Sequence, residues 1–376
     1  MIVESTHARK NSKIIWFFPR LTVPLQTENE EMMRKKNFKY PKAYLYAAGA
    51  GLIAIAALVC YYLFCSLSAK DEAQYVCIDT DDNIDSVYAK LEPFATTVGK
   101  KAFHTIARHS SYADNIRTGR YKIEPGEGAL TVFRRLSGGR QDPIDLTVPE
   151  ARTMERLAAL LSKKIMLDSA TIAQALNDEE FCRKYGADTA TMVCLFIPNT
   201  YNIYWDISMD DLMKRMQHEH DDFWTLERRQ KADAMGLTSD EVQTLASIVD
   251  EETNDTEEKH IIAGLYLNRL KKDMPLQACP TIKFAWKRFD LKRLYDSLLS
   301  IDSPYNTYKN KGLPPGPIKI ASIKGIDAVL NYTPSDYLFM CAKDDFSGHH
   351  AFAATGAEHM ANARRYQQAL NERGIK

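Results

Sequence analysis

The chain has 376 residues, with 49 Lys and Arg against 49 Asp and Glu, and seven cysteines. The length favours two or three domains, and the even charge balance argues against a protein built to hold nucleic acid. The cysteines stand singly at 60, 65, 77, 182, 194, 279 and 341, with no CxxC or zinc-type spacing. Such a set points to buried thiols and not to a disulfide framework or a metal cage, although an oxidising exterior could pair two of them.

Residues 1–42 read as a short cytoplasmic tail: acids at Glu28, Glu30 and Glu31, then a basic run from Arg34, give no packable pattern. The run makes Met32 or Met33 an alternative start. From Ala43 to Ala69 no residue is charged. A bilayer takes about 20 apolar residues, so residues 43–67 are expected to form one transmembrane helix. Tyr44, Tyr46, Tyr61 and Tyr62 lie near its ends, where amphipathic rings settle at the interface. Arg34, Lys35, Lys36, Lys39 and Lys42 precede it, and Lys70, Asp71 and Glu72 follow it. The positive-inside rule then places the N-terminus in the cytoplasm and the chain beyond residue 70 outside. A cleaved signal peptide fits less well, because the apolar run is too long and starts too far in.

Residues 70–148 alternate short pieces: strands at Tyr75–Ile78, Gly119–Gly126 and Ile144–Val148, helices at Ile84–Leu91, Gly99–Ala107 and Ala129–Leu136. Residues 149–376 form the larger region. Helical patterns run from Glu150 to about Lys164 and from Asp210 to about Met235, with a turn-like Leu195–Tyr201 between them. Thr238-Ser-Asp-Glu241 is an N-cap signal for a third helix, and Asn254 or Asp255 caps a fourth. Loop-rich motifs at Leu276–Thr281 and Ser303–Ile318 follow, then a strand at Tyr337–Cys341 and a last helix from His359 to about Arg373. The whole is a mixed α+β chain.

On a wheel of about 100° per residue, Val242, Leu245, Ile248 and Val249 form one apolar arc. Glu252 falls inside that arc, Glu251 points away, and Asp250 sits on the flank. By itself Asp250-Glu251-Glu252 reads as a solvated helix end, since acids are rarely buried unless paired. The wheel sets Glu252 apart. A carboxyl held against apolar groups keeps its proton to higher pH, as a general acid for glycosidic cleavage must. A pairing with Arg269 would reverse that shift.

Pro304-Tyr-Asn-Thr-Tyr308 followed by Gly312-Leu-Pro-Pro-Gly316 combines aromatics and amides that suit sugar rings, although a rigid connection has the same composition. His349 and His350 are adjacent, and neighbours on a strand point to opposite faces, so they do not read as a metal pair. Phosphate-loop, GxSxG and Cys–His nucleophile signatures are missing from the sequence. No cofactor is implied.

Taken together these motifs resemble the YceG-like family of endolytic murein transglycosylases. Ala246-Ser-Ile-Val-Asp-Glu-Glu-Thr253 is similar to the family's ASIVEKET, Tyr266-Leu-Asn-Arg-Leu270 to its FINRL, and Leu276-Gln-Ala-Cys-Pro-Thr281 to its LQTDPT. Ser303–Ile318 resembles PYNTY…GLPPGPI, and Tyr337-Leu-Phe with His350-Ala-Phe352 resembles YLYF…HTF. The resemblance covers roughly residues 43–376. Two departures stand out: the family's LEGFLFPDTY becomes Val193-Cys-Leu-Phe-Ile-Pro-Asn-Thr-Tyr201, and Cys279 occupies the Asp position of LQTDPT.

The resemblance implies a LysM-like module at 70–148 and a catalytic region at 149–376 with its core at about 238–376. It puts the catalytic acid/base on Glu252 and, with residue type, makes Gln277, Thr281, Asn306 and Tyr308 candidates for holding glycan. It implies a single-pass protein of the inner (cytoplasmic) membrane with an extracytoplasmic catalytic domain. Its substrate would be peptidoglycan glycan strands, and it would work beside peptidoglycan synthases. The reaction would cleave the MurNAc–GlcNAc β-1,4 bond and leave a 1,6-anhydro end. Two alternatives stay open: a muramidase-type hydrolase of the same bond, and an inactive wall-binding scaffold.

Overall fold

The computed structural model describes residues 42–291 and 295–374. The expected tail and its alternative start at Met32 or Met33 therefore lie outside the described residues. Contacts divide the chain into residues 1–59 and 60–376.

The first helix, α1, is Lys42–Phe64. Its 23 residues rise about 35 Å, enough to cross a hydrocarbon core of about 30 Å. None of them is buried by protein. The helix ends three residues short of the expected Leu67, and Cys65 lies outside it. Leu67 is fully buried in the core of the next module. The Leu67 N–H donates to Glu127 O (2.8 Å), and its own carbonyl accepts from Thr96 N (2.7 Å). An uncharged run cannot reveal this division, because lipid and a protein core select the same side chains.

That module pairs β1 (Gln74–Ile78) with β2 (Gly119–Ile123), antiparallel, with Val76 opposite Tyr121. Gly119, Tyr121 and Ile123 alternate inward. Helices α2 (Ile84–Leu91), α3 (Thr97–Arg108) and α4 (Ala129–Gly138) complete it. Asn83 and Thr96 cap α2 and α3 by accepting from backbone N–H groups of their first turns.

A second core forms around β3 (Ile144–Thr147), α5 (Met154–Leu161), α6 (Ser169–Leu176), α7 (Glu179–Lys184), β4 (Thr200–Ile203) and α8 (Met209–Phe223). Three expectations shift here. The helix expected from Glu150 starts at Met154, where Thr153 caps it. The turn-like Leu195–Tyr201 runs into β4, antiparallel to β3, because Tyr201 and Ile203 alternate onto this core. The helix expected over 210–235 breaks at the buried Trp224, and Thr225 caps the next one, α9 (Leu226–Met235).

The third core is built on α10 (Ser239–Glu252), with α11 (Thr256–Lys271), α12 (Cys279–Ala285) and α13 (Ile323–Leu330) packed against it. Thr238 and Glu241 close a reciprocal capping box at the start of α10, and Asp255 caps α11. Helix α12 was not expected; it grows out of the loop-rich Leu276–Thr281 motif. A hairpin of β5 (Phe339–Ala342) and β6 (His350–Ala353) leads to α14 (Gly356–Glu372), which has its own capping box from Thr355 and Glu358.

Replacing Leu67 by Ala should lower the unfolding free energy by about 2–5 kcal/mol. Denaturant unfolding of residues 60–376 in detergent would show it, and a change below about 0.5 kcal/mol would return Leu67 to the membrane span.

Candidate active site

The end of α10 presents three acids, and each has a different environment. Asp250 is the most buried, at 7% exposure. Its carboxylate pairs with Lys259 of α11 and accepts from Ser322 N (2.7 Å) and Ser322 Oγ (2.8 Å) at the start of α13. A side-chain carbon on Gly325 would lie 2.5 Å from Asp250 Oδ1, so glycine is required there. The helical wheel misplaced Asp250 on a flank. Every residue from Val242 to Asp250 is buried, because helices pack around α10 instead of along one arc.

Glu251 does point away, into a bidentate contact with Arg152 (2.9 and 3.1 Å). Glu252 is half-buried, and its Oε1 accepts from the Tyr266 hydroxyl of α11 at 2.9 Å. Burial pushes its carboxyl above the usual range; the Tyr266 hydrogen bond and the nearby His350 and Lys283 oppose this, and Glu251 adds to it. Arg269 does not pair with Glu252. Its guanidinium donates to Pro275 O (2.9 and 2.8 Å), Leu338 O (2.7 Å) and Gln277 Oε1 (2.6 Å).

Glu252 stands between two open recesses. The larger, about 830 Å³, is lined by Tyr266, Arg269, Gln277, Cys279, Tyr308, the β5 segment, His350 and His359. The smaller, about 630 Å³, is lined by Glu251, Thr253, Asn254, Asp255 and Ser347–His349. Glu252 borders both.

Of the four predicted glycan-holding residues, Gln277 and Tyr308 line the larger recess. Thr281 and Asn306 do not; both are fully buried. Thr281 Oγ1 donates to Ala278 O (2.8 Å) and lies 2.8 Å from Thr307 Oγ1. Asn306 donates to Leu299 O (2.9 Å) and Ile301 O (2.8 Å), and its Oδ1 accepts from Tyr308 N (3.0 Å). These two hold the wall's loops in shape, because loop backbone groups take up their hydrogen bonds. Cys279 also departs from expectation. The residue is exposed and lines the recess, with its Sγ 3.2 Å from Tyr308 Oη.

Sequence reasoning missed Tyr266, which is visible only once α11 folds back on α10. It also missed Glu258. That carboxylate accepts from His350 N (2.7 Å), faces His350 Nδ1 (3.2 Å) and lies 3.6 Å from His349 Nδ1. The strand begins only at His350, so the two imidazoles are not forced to opposite faces and both approach one acid. Burial would raise the Glu258 pKa, but the His350 N–H, Thr253 and the His350 ring outweigh it and hold it low. Elsewhere, Asp79, Asp81 and Asp82 lie close enough to share a cation, but Lys90 already bridges Asp79 and Asp82.

This is a protein whose core helix ends in a desolvated acid inside an open cleft. Residues 76–365 match the YceG-like family, and the chain belongs to it. It is similar to an endolytic murein transglycosylase of Bacillus subtilis strain 168, 28% identical over 313 residues that cover 79% of this chain and 85% of that one. A Streptococcus pneumoniae R6 protein of the same name is 28% identical over 295 residues, which span 70% of this chain but only 53% of the relative. A crystal structure of a yceG-like protein from Listeria monocytogenes superposes with a TM-score of 0.51 at 25% identity, covering 78% of this chain and 99% of that one.

A carboxyl whose folded pKa is raised opposes folding once pH exceeds its unfolded value of about 4.3. Below that pH it carries a proton in both states and the penalty vanishes. Glu252→Gln should therefore raise the melting temperature at pH 7 and leave it unchanged near pH 3.5. Equal melting temperatures at pH 7 would show that the fold does not raise the Glu252 pKa.

Proposed function

We propose that this protein is a membrane-anchored lytic transglycosylase that cleaves the MurNAc–GlcNAc β-1,4 bond within peptidoglycan glycan strands. One observation carries the reading: Glu252, a carboxyl whose pKa burial raises, borders two recesses open to solvent. A cleft open on both sides of the acid accepts the interior of a strand, not only its end. Among the described residues lining the larger recess, Glu252 is the only carboxyl, and the other acids of the smaller recess are already engaged, Asp250 by Lys259, Glu251 by Arg152 and Asp255 by the first turn of α11. Two-carboxyl hydrolysis requires a partner acid at a set separation, so this lining favours transglycosylation over the muramidase alternative.

In this scheme Glu252 donates its proton to the leaving glycosidic oxygen. The C1–O bond breaks as the C6 hydroxyl oxygen of the same muramic residue bonds to C1. The Glu252 carboxylate takes the C6 proton and is ready for the next cycle, so no water enters. The Tyr266 hydroxyl, on Oε1, leaves Oε2 free to face the sugar. Gln277 and Tyr308 are the residues proposed to hold the glycan.

The remaining assignments belong to the same proposal. Residues 70–148 act as a LysM-like, glycan-binding module, and 149–376 as the catalytic region with its core at about 238–376. Helix α1 anchors the protein in the inner membrane with its N-terminus in the cytoplasm, which puts the cleft beside peptidoglycan synthases. Protease added to spheroplasts should then digest the chain beyond residue 70. Protection of that region would reverse the orientation.

Mass spectrometry of digested glycan strands tests the reaction. The wild-type protein should leave 1,6-anhydro ends, and Glu252→Gln should cleave about a hundred- to ten-thousand-fold more slowly. Reducing ends would establish the hydrolase, no cleavage by wild type would establish the scaffold, and an active Glu252→Gln would remove Glu252 from the chemistry.

A further inference from the structure

A second ionisable group shares the cleft with Glu252, and the scheme above does not use it. His350 opens β6 and lines the same recess as Glu252. Its backbone N–H and its Nδ1 both rest on the buried carboxylate of Glu258, at 2.7 and 3.2 Å. That double attachment fixes the ring with Nδ1–H on Glu258 and leaves Nε2 for the cleft. A carboxylate behind an imidazole sets its tautomer and stabilises the imidazolium when it forms. Glu258 is only 5% exposed, and each of its carboxylate oxygens engages His350, one the backbone N–H and the other the ring, so it is a rigid support.

We propose that His350, held by Glu258, is the electrostatic positioning residue for Glu252: as the imidazolium, it steadies the negative charge left on Glu252 when the proton goes to the leaving oxygen. The inference rests on the reading of Glu252 as the proton donor and adds a partner to it. The need is physical. Glu252 must be neutral before cleavage and charged during it, in a site that disfavours the charge. A preorganised cation beside the carboxylate lowers that barrier without reorganising solvent. The recess lining holds another cation, Arg269, but neutral carbonyl and amide oxygens take up its guanidinium, and Lys283 acts on Glu252 from outside that lining. The groups facing His350 are Glu258 of α11, Glu252 of α10, Cys341 of β5, His359 of α14 and the adjacent His349; Glu252 is also faced by Tyr266, Lys283 and Glu251.

The test is kcat against pH on glycan strands with the full chain, comparing wild type, H350Q, H350K, E258Q and E252Q. Activity should fall as pH rises through the Glu252 pKa. Without the imidazolium, Glu252 holds its proton more tightly. H350Q should therefore lose about a hundredfold in kcat, keep its KM, and move its alkaline limb to higher pH. H350K, which restores a cation, should return the limb toward wild type. If H350Q does not fold, by circular dichroism, E258Q is read on the same limb and should shift it the same way. A wild-type kcat in H350Q, or a lowered kcat with an unmoved limb, overturns the proposal. E252Q keeps the two readings apart: inactive E252Q beside a wild-type-like H350Q leaves the transglycosylase intact and rejects His350, whereas active E252Q rejects the reading on which both rest.

Discussion

The buried carboxylate of Asp250 ties three helices together at the point where the chemistry is proposed to occur. It sits on α10, pairs with Lys259 of α11 and accepts twice from Ser322 at the start of α13. A buried ion pair adds little net stability over apolar packing, yet removing one member costs about 3–5 kcal/mol by stranding the other. The consequence is positional. Two residues beyond Asp250, the backbone of Glu252 is held in place by that knot, and the Tyr266 hydroxyl holds its carboxyl. Gly325 shows how tight it is, since even a methyl group would collide with the carboxylate.

From that fixed point the cleft follows. Helix α11 returns along α10 and delivers Tyr266 to Glu252 and Arg269 to the far wall. The β5–β6 hairpin is fastened over the cleft by Arg269 to Leu338, Asn268 to Ser335 and Tyr337, and Glu258 to His350. These are mostly single side chains binding backbone, and the hairpin strands are only partly buried. Helix α10 is thus held by a buried ion pair, while the hairpin wall joins it through a few polar contacts and the packing of Met340 and Phe352 on the third core.

The two departures from the family's motifs have local structural answers. Where the family has Asp in LQTDPT, Cys279 places a thiol against Tyr308. Where Asn199 replaces Asp, its Oδ1 accepts from Thr200 N at the start of β4 and its carbonyl accepts from Val148 N, and it lines neither recess that Glu252 borders. Neither side chain hydrogen-bonds to Glu252, although Cys279 lines the same recess. Both fall on elements that shape walls and supports.

The sequence alone marked the helices of the first module, the cap at Thr238, Asp255 as one of two candidate caps, the membrane-compatible run and Glu252 as the acid set apart from its neighbours, because each is written in local periodicity or in a short motif. It could not divide the uncharged run between α1 and the module, since lipid and core select alike. It placed Asp250 on a flank because a wheel describes one helix and not the helices packed around it. It offered Thr281 and Asn306 as sugar contacts because residue type does not say whether a hydroxyl or amide will be consumed by nearby backbone. Tyr266 over Glu252, Arg269 turned away from it, and Glu258 behind His350 were decided only by tertiary structure. Each joins residues on different elements, and the distances that set their charge states exist only once those elements pack.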